Sequence, residues 1–347
     1  NVLQTFVFDA WHVPFIVTVS VFIVLILLYT YEGGVKTIVW TDTLQTTFML
    51  FTVLFCIGYL IKESGHGIGV WLSNASNAGY TKIFVSDWHS PNFFWKNFLG
   101  GMGITVAMTG LDQEMMQKNL SCRNINEARK NMFTFVAVLV LVNLLFLFLG
   151  AVLSMSAPAH GLTFDAAHTD NIFPTMALQF LGTLPALIFV VGLISAAFPS
   201  ADGALTALTT AFTFDFLGIH KNKNLSDQQQ KKTRYIVHIS FAIILLIVIL
   251  VFRSINDDAV IRNLFKAAGY TYGPLLGLYA FGFFTKRKLH DSFSWLMCLI
   301  GPVCCWILND HAPQWFHGYK FGFELILVNG LLTFICLATI SKKKDKK

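Results

Sequence analysis

One apolar segment of the chain, residues 184–215, carries polar side chains whose types suit cation binding. The carboxylate of Asp202 stands among six hydroxyl side chains, those of Ser195, Ser200, Thr206, Thr209, Thr210 and Thr213. Because an α-helix turns by about 100° per residue, Ser195, Asp202 and most of the threonines fall on one face. Hard cations take oxygen ligands, and an ionisable residue in an apolar helix indicates a functional site. The alternative for the threonines is that each bonds to the carbonyl of the preceding turn and helps helices to pack.

A proline interrupts the same segment. Pro199 has no N–H and clashes with the carbonyl four residues earlier, so it frees the carbonyl of Ser195. In a membrane a freed carbonyl must be satisfied by a neighbour, water or an ion, and broken helices often mark the binding sites of transporters. The alternative is a simple kink.

A second carboxylate, Asp42, follows a predicted tight turn at Gly33-Gly34 and shares a helix face with Gln45. Two carboxylates in a low-dielectric site either bind a cation or share a proton, and Asp202 is the predicted partner of Asp42. Alternatively, Asp42 caps a helix or forms an ion pair with a lysine or arginine.

Two further segments combine helix-loosening residues with polar groups. Four glycines precede Asp112 and Gln113, which predicts either a broken helix that lines a cavity or a closely packed helix that ends there. In residues 263–284, Pro274 frees the carbonyl of Tyr270. Lys266 lies near the start of that segment, where it meets an anionic group of a substrate, extends toward the interface, or pairs with Asp257 or Asp258.

The elements that must position these residues are apolar runs. Hydrophobic residues make up 55% of the 347 residues, charged residues 13%, and the mean hydropathy is +0.61. A soluble domain carries roughly twice that charge, and about 20 apolar residues cross a bilayer core. We therefore predict an all-α polytopic membrane protein with about nine transmembrane helices, at 13–31, 38–61, 98–115, 132–155, 175–217, 235–253, 264–285, 291–309 and 321–340.

The composition argues against several other classes. The six cysteines lie mostly in apolar runs without metal-ligand spacing, which indicates no disulfide framework. We find no nucleotide-binding loop or catalytic constellation, so we predict neither an enzyme nor an organic cofactor. The net charge of +6 comes from short linkers and the tail at 342–347, which is not the pattern of a nucleic-acid surface.

The charge of the linkers predicts an orientation. Of the 25 lysines and arginines, 18 fall in alternate linkers and the tail, and 7 fall in the others. By the positive-inside rule the C-terminus is cytoplasmic and the start of the chain is external, in a plasma or bacterial inner membrane. Because the chain begins with Asn1, we also expect that an N-terminal portion is absent.

Three of these segments, in this order, resemble the sodium/solute symporter family: GGVKTIVWTDTLQ, GLDQEMMQKNL and SAAFPSADGALTALTT. The resemblance runs from about residue 13 to 340. It implies one membrane domain with a LeuT-type inverted-repeat fold that lacks the family's first helices. Residues 13–61 would then be the last two helices of the first repeat, 98–285 the second repeat, and 291–340 two additional helices.

The resemblance also implies binding residues. A sodium site would use the main-chain carbonyl of Ala196 and the hydroxyl of Ser200. At a third position Pro199 lacks the family's hydroxyl, and the freed carbonyl of Ser195 could replace it. A second cation site would use Asp42 and Asp202.

The substrate-lining positions implied by the resemblance are Asp112, Gln113, Met115 and Lys266. Carriers of sugars share the Asp-Gln pair, whereas Lys266 suggests a carboxylated solute. Lys118 stands where the family usually has arginine.

The resulting functional prediction is a symporter that uses a sodium gradient to import a small organic solute, a sugar or a carboxylated compound, across the lipid bilayer. The alternative is a transport-inactive membrane sensor or structural subunit that retains the fold. The sequence predicts no particular protein partner.

Overall fold

The computed structural model describes residues 2–30, 35–162, 169–219, 225–255 and 260–342, but not the side chains of residues 29, 35–38, 199, 200, 255, 260–263, 265, 266 and 291. Most of the described chain is helical. The α-helices are α1 (Phe15–Thr30), α2 (Val35–Glu63), α3 (Ile68–Asn77), α4 (Phe94–Thr105), α5 (Gln113–Leu120), α6 (Ile125–Ser156), α7 (Ile172–Thr175), α8 (Thr183–Ala211), α9 (Asp227–Ile255), α10 (Val260–Phe284), α11 (Asp291–Trp315) and α12 (Leu325–Thr339). Single turns of π-helix follow α4, α7 and α8, at Val106–Gly110, Met176–Phe180 and Phe212–Phe216.

The predicted all-α class is confirmed, and a helix lies in each of the nine predicted apolar runs. Among the described residues, five helices are long and apolar enough to cross a membrane, or six if the bent pair Gln4–Trp11 and Phe15–Leu28 is one span. Helix α12 has 15 residues and is therefore about 22 Å long, less than the roughly 30 Å of a hydrocarbon core. The count of nine spans stays a prediction.

The first compact unit comprises Asn1–Tyr80 and Gln117–Ala259. It has two apolar clusters. One joins α2, α6 and the π turn after α7 through residues such as Val53 and Val152. The other joins α1, α8 and α9 through residues such as Leu205 and Ala242. Helix α8, which carries the polar stripe of the sequence, therefore packs between α2 and the pair α1 and α9.

Helices α2 and α8 run antiparallel and in close contact. A Cβ atom on Gly192 would lie 2.2 Å from the hydroxyl oxygen of Thr52. That oxygen is 2.9 Å from the carbonyl oxygen of Phe48 on its own helix and 3.1 Å from that of Ile188 on α8. Toward the end of α2, the Tyr59 hydroxyl is 4.0 Å from the position of a Cβ on Gly182. Because glycine has no side chain, Gly192 allows α2 and α8 to approach closely in this register.

The second compact unit comprises Thr81–Met116 and Val260–Lys347. In it α12 packs against α10 and α11, and the start of α12 packs against α4. The side chain of Asn329 on α12 is fully buried because Gly273 of α10 and Gly301 of α11 leave room for it.

The carbonyl that Pro274 was predicted to free has a partner in this unit. The Nδ2 of Asn329 donates to the carbonyl of Tyr270 at 2.9 Å and to that of Gly269 at 3.0 Å. Both carbonyls belong to the turn before Pro274, where the proline removes a helical donor. Residue Asn329 therefore stabilises the Pro274 region of α10.

The glycines before Asp112 differ in their surroundings. A Cβ on Gly100 would lie 2.4 Å from the main-chain carbon of Phe323 and 2.6 Å from the main-chain nitrogen of Glu324, whereas a Cβ on Gly101 meets nothing within 4 Å. Gly103 also faces α12, at Leu327. Of the two sequence interpretations, close packing accounts for Gly100 and Gly103.

We expect Gly100→Ala to destabilise the protein by about 1–3 kcal/mol, because main-chain atoms cannot move aside for the added methyl group. Gly101→Ala is the matched control: it should be neutral or stabilising by up to about 1 kcal/mol, because alanine is the better helix former. Thermal unfolding of both variants in detergent tests this difference. Equal shifts in Tm would show that α4 does not pack on α12 as described.

Candidate cation site

The candidate cation site lies on α8, which continues through Pro199 without a break. The structure therefore favours the interpretation in which Pro199 does not separate two half-helices. Asp202 is fully buried, and Ser195 and Ala196 are half-buried. The side chains of Pro199 and Ser200 lie outside the described part of the chain, so the predicted hydroxyl ligand of Ser200 stays a prediction.

The threonines of the stripe use their hydroxyl protons within α8. Thr209 donates to the carbonyl of Leu205 at 2.6 Å, and Thr213 donates to the carbonyl of Thr209 at 2.7 Å. Thr206 likewise donates to the carbonyl of Asp202. These contacts favour the interpretation that the threonines stabilise the helix and its packing, and they leave Asp202 as the charged group of the stripe.

Asp42 forms an ion pair with Lys118. The Nζ of Lys118 is 2.8 Å from Oδ2 of Asp42, and the two side chains are 27% and 17% exposed. This contact fits the interpretation in which Asp42 pairs with a basic residue. The other carboxylate oxygen, Oδ1, and Oε1 of Gln45 are shielded from solvent and accept no hydrogen bond within the described residues, so this face of α2 keeps acceptor capacity beside the ion pair.

The register of α2 and α8 places the two carboxylates at a similar depth. Continuing the contacts of Thr52 with Gly192 and of Tyr59 with Gly182 toward the start of α2 brings Asp42 level with residues 199–202. Since each residue of a helix advances by about 1.5 Å, Asp42 and Asp202 differ in depth by at most about one turn. Their joint cation site stays a prediction, which this register supports.

Comparison with known proteins identifies the family. The family model named "Sodium:solute symporter family" matches residues 5–292. The chain belongs to the sodium:solute symporter family. A symporter family is a family of transporters, in agreement with the prediction that the chain is not an enzyme.

Several relatives of this symporter-family chain have names that state what they carry. The sodium/sialic acid symporter SiaT of Proteus mirabilis (strain HI4320) is 22% identical over 288 residues, which are 78% of this chain and 55% of the relative. The human sodium/iodide cotransporter is 25% identical over 278 residues, 74% of this chain and 40% of the relative. The chain thus spans about half the length of these relatives.

A solved structure supports the symporter fold. It is titled "Substrate-bound outward-open state of a Na+-coupled sialic acid symporter reveals a novel Na+-site", and it matches with a TM-score of 0.77 at 16% identity. The match covers 99% of this chain and 71% of that one. At this identity the likeness establishes the fold.

Three of the four residues predicted to line the substrate site of this symporter-family chain lie at the start of α5: Asp112, Gln113 and Met115. The chain leaves helical hydrogen bonding at Leu111 and Asp112, and Oδ1 of Asp112 accepts a hydrogen bond from the N–H of Met115 at 3.0 Å. Asp112 therefore caps α5, with Gln113 in its first turn. The side chain of Lys266 and both of its predicted partners, Asp257 and Asp258, lie outside the described residues.

One residue that contacts the polar stripe was not predicted from the sequence. His238 on α9 is 8% exposed, and its ring lies against Thr209 of α8. In the sequence His238 is a single histidine in an apolar run. This pattern does not distinguish a functional histidine from one that only packs in the core.

Proposed function

We propose that this protein is a sodium-coupled symporter that imports a small organic solute by alternating access. The observation that carries the proposal is the fully buried carboxylate of Asp202, on a helix of a chain that belongs to the sodium:solute symporter family. Sodium binding would stabilise one arrangement of the helices, and the solute would bind that arrangement better. Sodium and the solute are thus both cargo.

We assign sodium to the carbonyl of Ala196, Ser195 and Ser200, with a second cation position between Asp42 and Asp202. Lys118 pairs with Asp42, and Asp202 adds a fully buried carboxylate. In a medium of low dielectric the negative charge of such a group attracts a small cation strongly.

The orientation and organisation of the chain are part of the same proposal. The positive-inside rule places the C-terminus in the cytoplasm and the start of the chain outside. Residues 13–61, 98–285 and 291–340 would be the end of one repeat, a second repeat and two additional helices. For the solute we propose a sugar or a carboxylated compound, bound near Asp112, Gln113, Met115 and Lys266. The sialic acid symporter SiaT among the relatives supports an organic solute.

Uptake by the protein in reconstituted vesicles tests the proposal. An inward sodium gradient should drive accumulation of at least one sugar or carboxylated solute, and an equal potassium gradient should not. We expect Lys266→Gln to reduce uptake of carboxylated solutes more than uptake of neutral sugars. The matched control is Lys288→Gln in a predicted cytoplasmic linker, which should change neither.

Uptake that ignores the sodium gradient would overturn the proposal. If no solute enters but sodium changes the labelling of the half-buried thiol of Cys122, the protein is the transport-inactive sensor instead. Unchanged selectivity in Lys266→Gln would remove Lys266 from the solute site.

A further inference from the structure

Three helices of the first unit meet at the imidazole ring of His238. Its Nε2 is 3.1 Å from the hydroxyl oxygen of Thr30 on α1, and its Nδ1 is 2.9 Å from the hydroxyl oxygen of Thr209 on α8. All three side chains are buried, with 8%, 7% and 4% exposure. Both ring nitrogens therefore interact with protein oxygens and are shielded from water.

The two hydroxyl protons are already used. Thr30 donates to the carbonyl of Ile26 at 2.7 Å, and Thr209 donates to the carbonyl of Leu205 at 2.6 Å. A hydroxyl has one proton, so an oxygen that donates to its carbonyl can only accept from the ring. For both ring contacts to be hydrogen bonds while each hydroxyl keeps its bond to its own carbonyl, both ring nitrogens must carry a proton.

We propose that His238 is a proton-binding site that joins α1 and α8 to α9. With the proton bound, the imidazolium donates to both threonines while each threonine keeps its bond to its own carbonyl. When the proton leaves, one ring nitrogen has a lone pair that faces an oxygen. The facing threonine must then turn its hydroxyl to the ring and leave its carbonyl, or the contact must open.

A cavity lies close to the ring. It has a volume of about 280 Å³, and its lining includes Thr213 and Arg234. Thr213 lies one turn beyond Thr209 on α8, and Arg234 lies one turn before His238 on α9. The proton-binding site is therefore about one helical turn from the cavity.

The charges around His238 act in both directions. The sequence of helix α1 includes one titratable residue, Tyr29, and α8 contributes Asp202, two turns before Thr209. The π turn after α8 contributes Asp215, and α9 itself contributes Arg234 and the phenol of Tyr235. Burial of the ring and the charge of Arg234 both oppose a positive charge on the imidazole, and the two threonine oxygens, as acceptors, favour one.

The consequence concerns the helix that carries the candidate cation site. Binding or release of a proton at His238 strengthens or weakens the attachment of α8 to α1 and α9. Since Asp202 is on the same helix, the proton would influence the position of the carboxylate. The proton-binding site itself rests on the contacts of His238 and does not depend on sodium-coupled transport.

Nitrogen NMR of the full chain, labelled with ¹⁵N-histidine, tests the proposal. The signals of His238 are the ones that are absent from the spectrum of the His238→Gln variant. In the wild type they should change from those of two protonated ring nitrogens at about pH 5 to those of one at about pH 8. Thr209→Val removes one acceptor for the cation and should weaken proton binding about tenfold. Thr209→Ser keeps the hydroxyl and should behave as the wild type does.

Two results would overturn the proposal. One is a neutral ring of a single tautomer throughout this pH range. The other is identical titration of the Thr209→Val and Thr209→Ser variants. If His238→Gln does not fold, the histidine whose signals differ between the two Thr209 variants identifies His238, so the measurement still decides. Uptake plays no part in it, and its outcome is separate from that of the proposed function.

Discussion

Replacing Asn329 with alanine is expected to lower the free energy of unfolding by about 2–4 kcal/mol. The side chain is fully buried, and its amide donates to two carbonyls of α10, those of Gly269 and Tyr270. Removing the amide leaves the carbonyl of Tyr270, which has no helical donor because of Pro274, without a partner, and an unsatisfied buried group costs about 1–3 kcal/mol. The cavity left by the side chain adds to the loss.

A double-mutant cycle separates the hydrogen bonds from the packing. Pro274→Ala restores an N–H that can bond to the carbonyl of Tyr270 within α10. Asn329→Ala should therefore cost less in the Pro274→Ala background, with a coupling free energy of about 1 kcal/mol or more. Unfolding in mixed micelles measures all four variants, and strictly additive effects would contradict the assignment of this amide to the freed carbonyl.

Thr333→Val is the matched control for burial. Thr333 is also fully buried on α12, one turn after Asn329, but its hydroxyl makes no hydrogen bond to the described residues. Valine has nearly the same shape and no polar atom to satisfy, so this variant should be as stable as the wild type or more stable. A loss as large as that of Asn329→Ala would show that burial, rather than the amide contact, sets the effect.

The sequence predicted the freed carbonyl of Tyr270 but not its partner, and the reason is physical. Proline acts on the turn before it, so its effect on a helix can be deduced locally. The partner Asn329 lies on another helix, 59 residues along the chain, and which helices pack together depends on shape. The sequence likewise did not decide the partner of Asp42, because Lys118 lies 76 residues further along the chain.

Similar local signals also led to different structures. Pro199 and Pro274 both lie inside helices that continue past them, and among the described residues a side-chain donor is seen at the carbonyl freed by Pro274, that of Tyr270. Gly100 and Gly101 are neighbours, yet only the first of the two has main-chain atoms against it. The fold class followed from apolar length and composition, whereas the pairing of side chains across helices required the structure.

Replacing Asp202 with asparagine is expected to raise the sodium concentration for half-maximal effect by about tenfold or more, where each tenfold equals about 1.4 kcal/mol. The variant removes the charge of a fully buried carboxylate and keeps its size. Two readouts apply: sodium-dependent uptake, and the rise in Tm that sodium produces by binding the folded state. The second needs no transport, so it detects a bound cation even in a protein that does not carry solute.

Two controls show whether charge at Asp202 is the cause. Thr206→Ala removes a hydroxyl that bonds to the carbonyl of Asp202, and it should leave the sodium dependence nearly unchanged. The double variant Asp42→Asn with Lys118→Gln removes one charge of each sign from the ion pair. Because the net charge is kept, it should weaken sodium binding less than Asp202→Asn does. Equal losses in all three variants, or none in any, would contradict a cation site centred on Asp202.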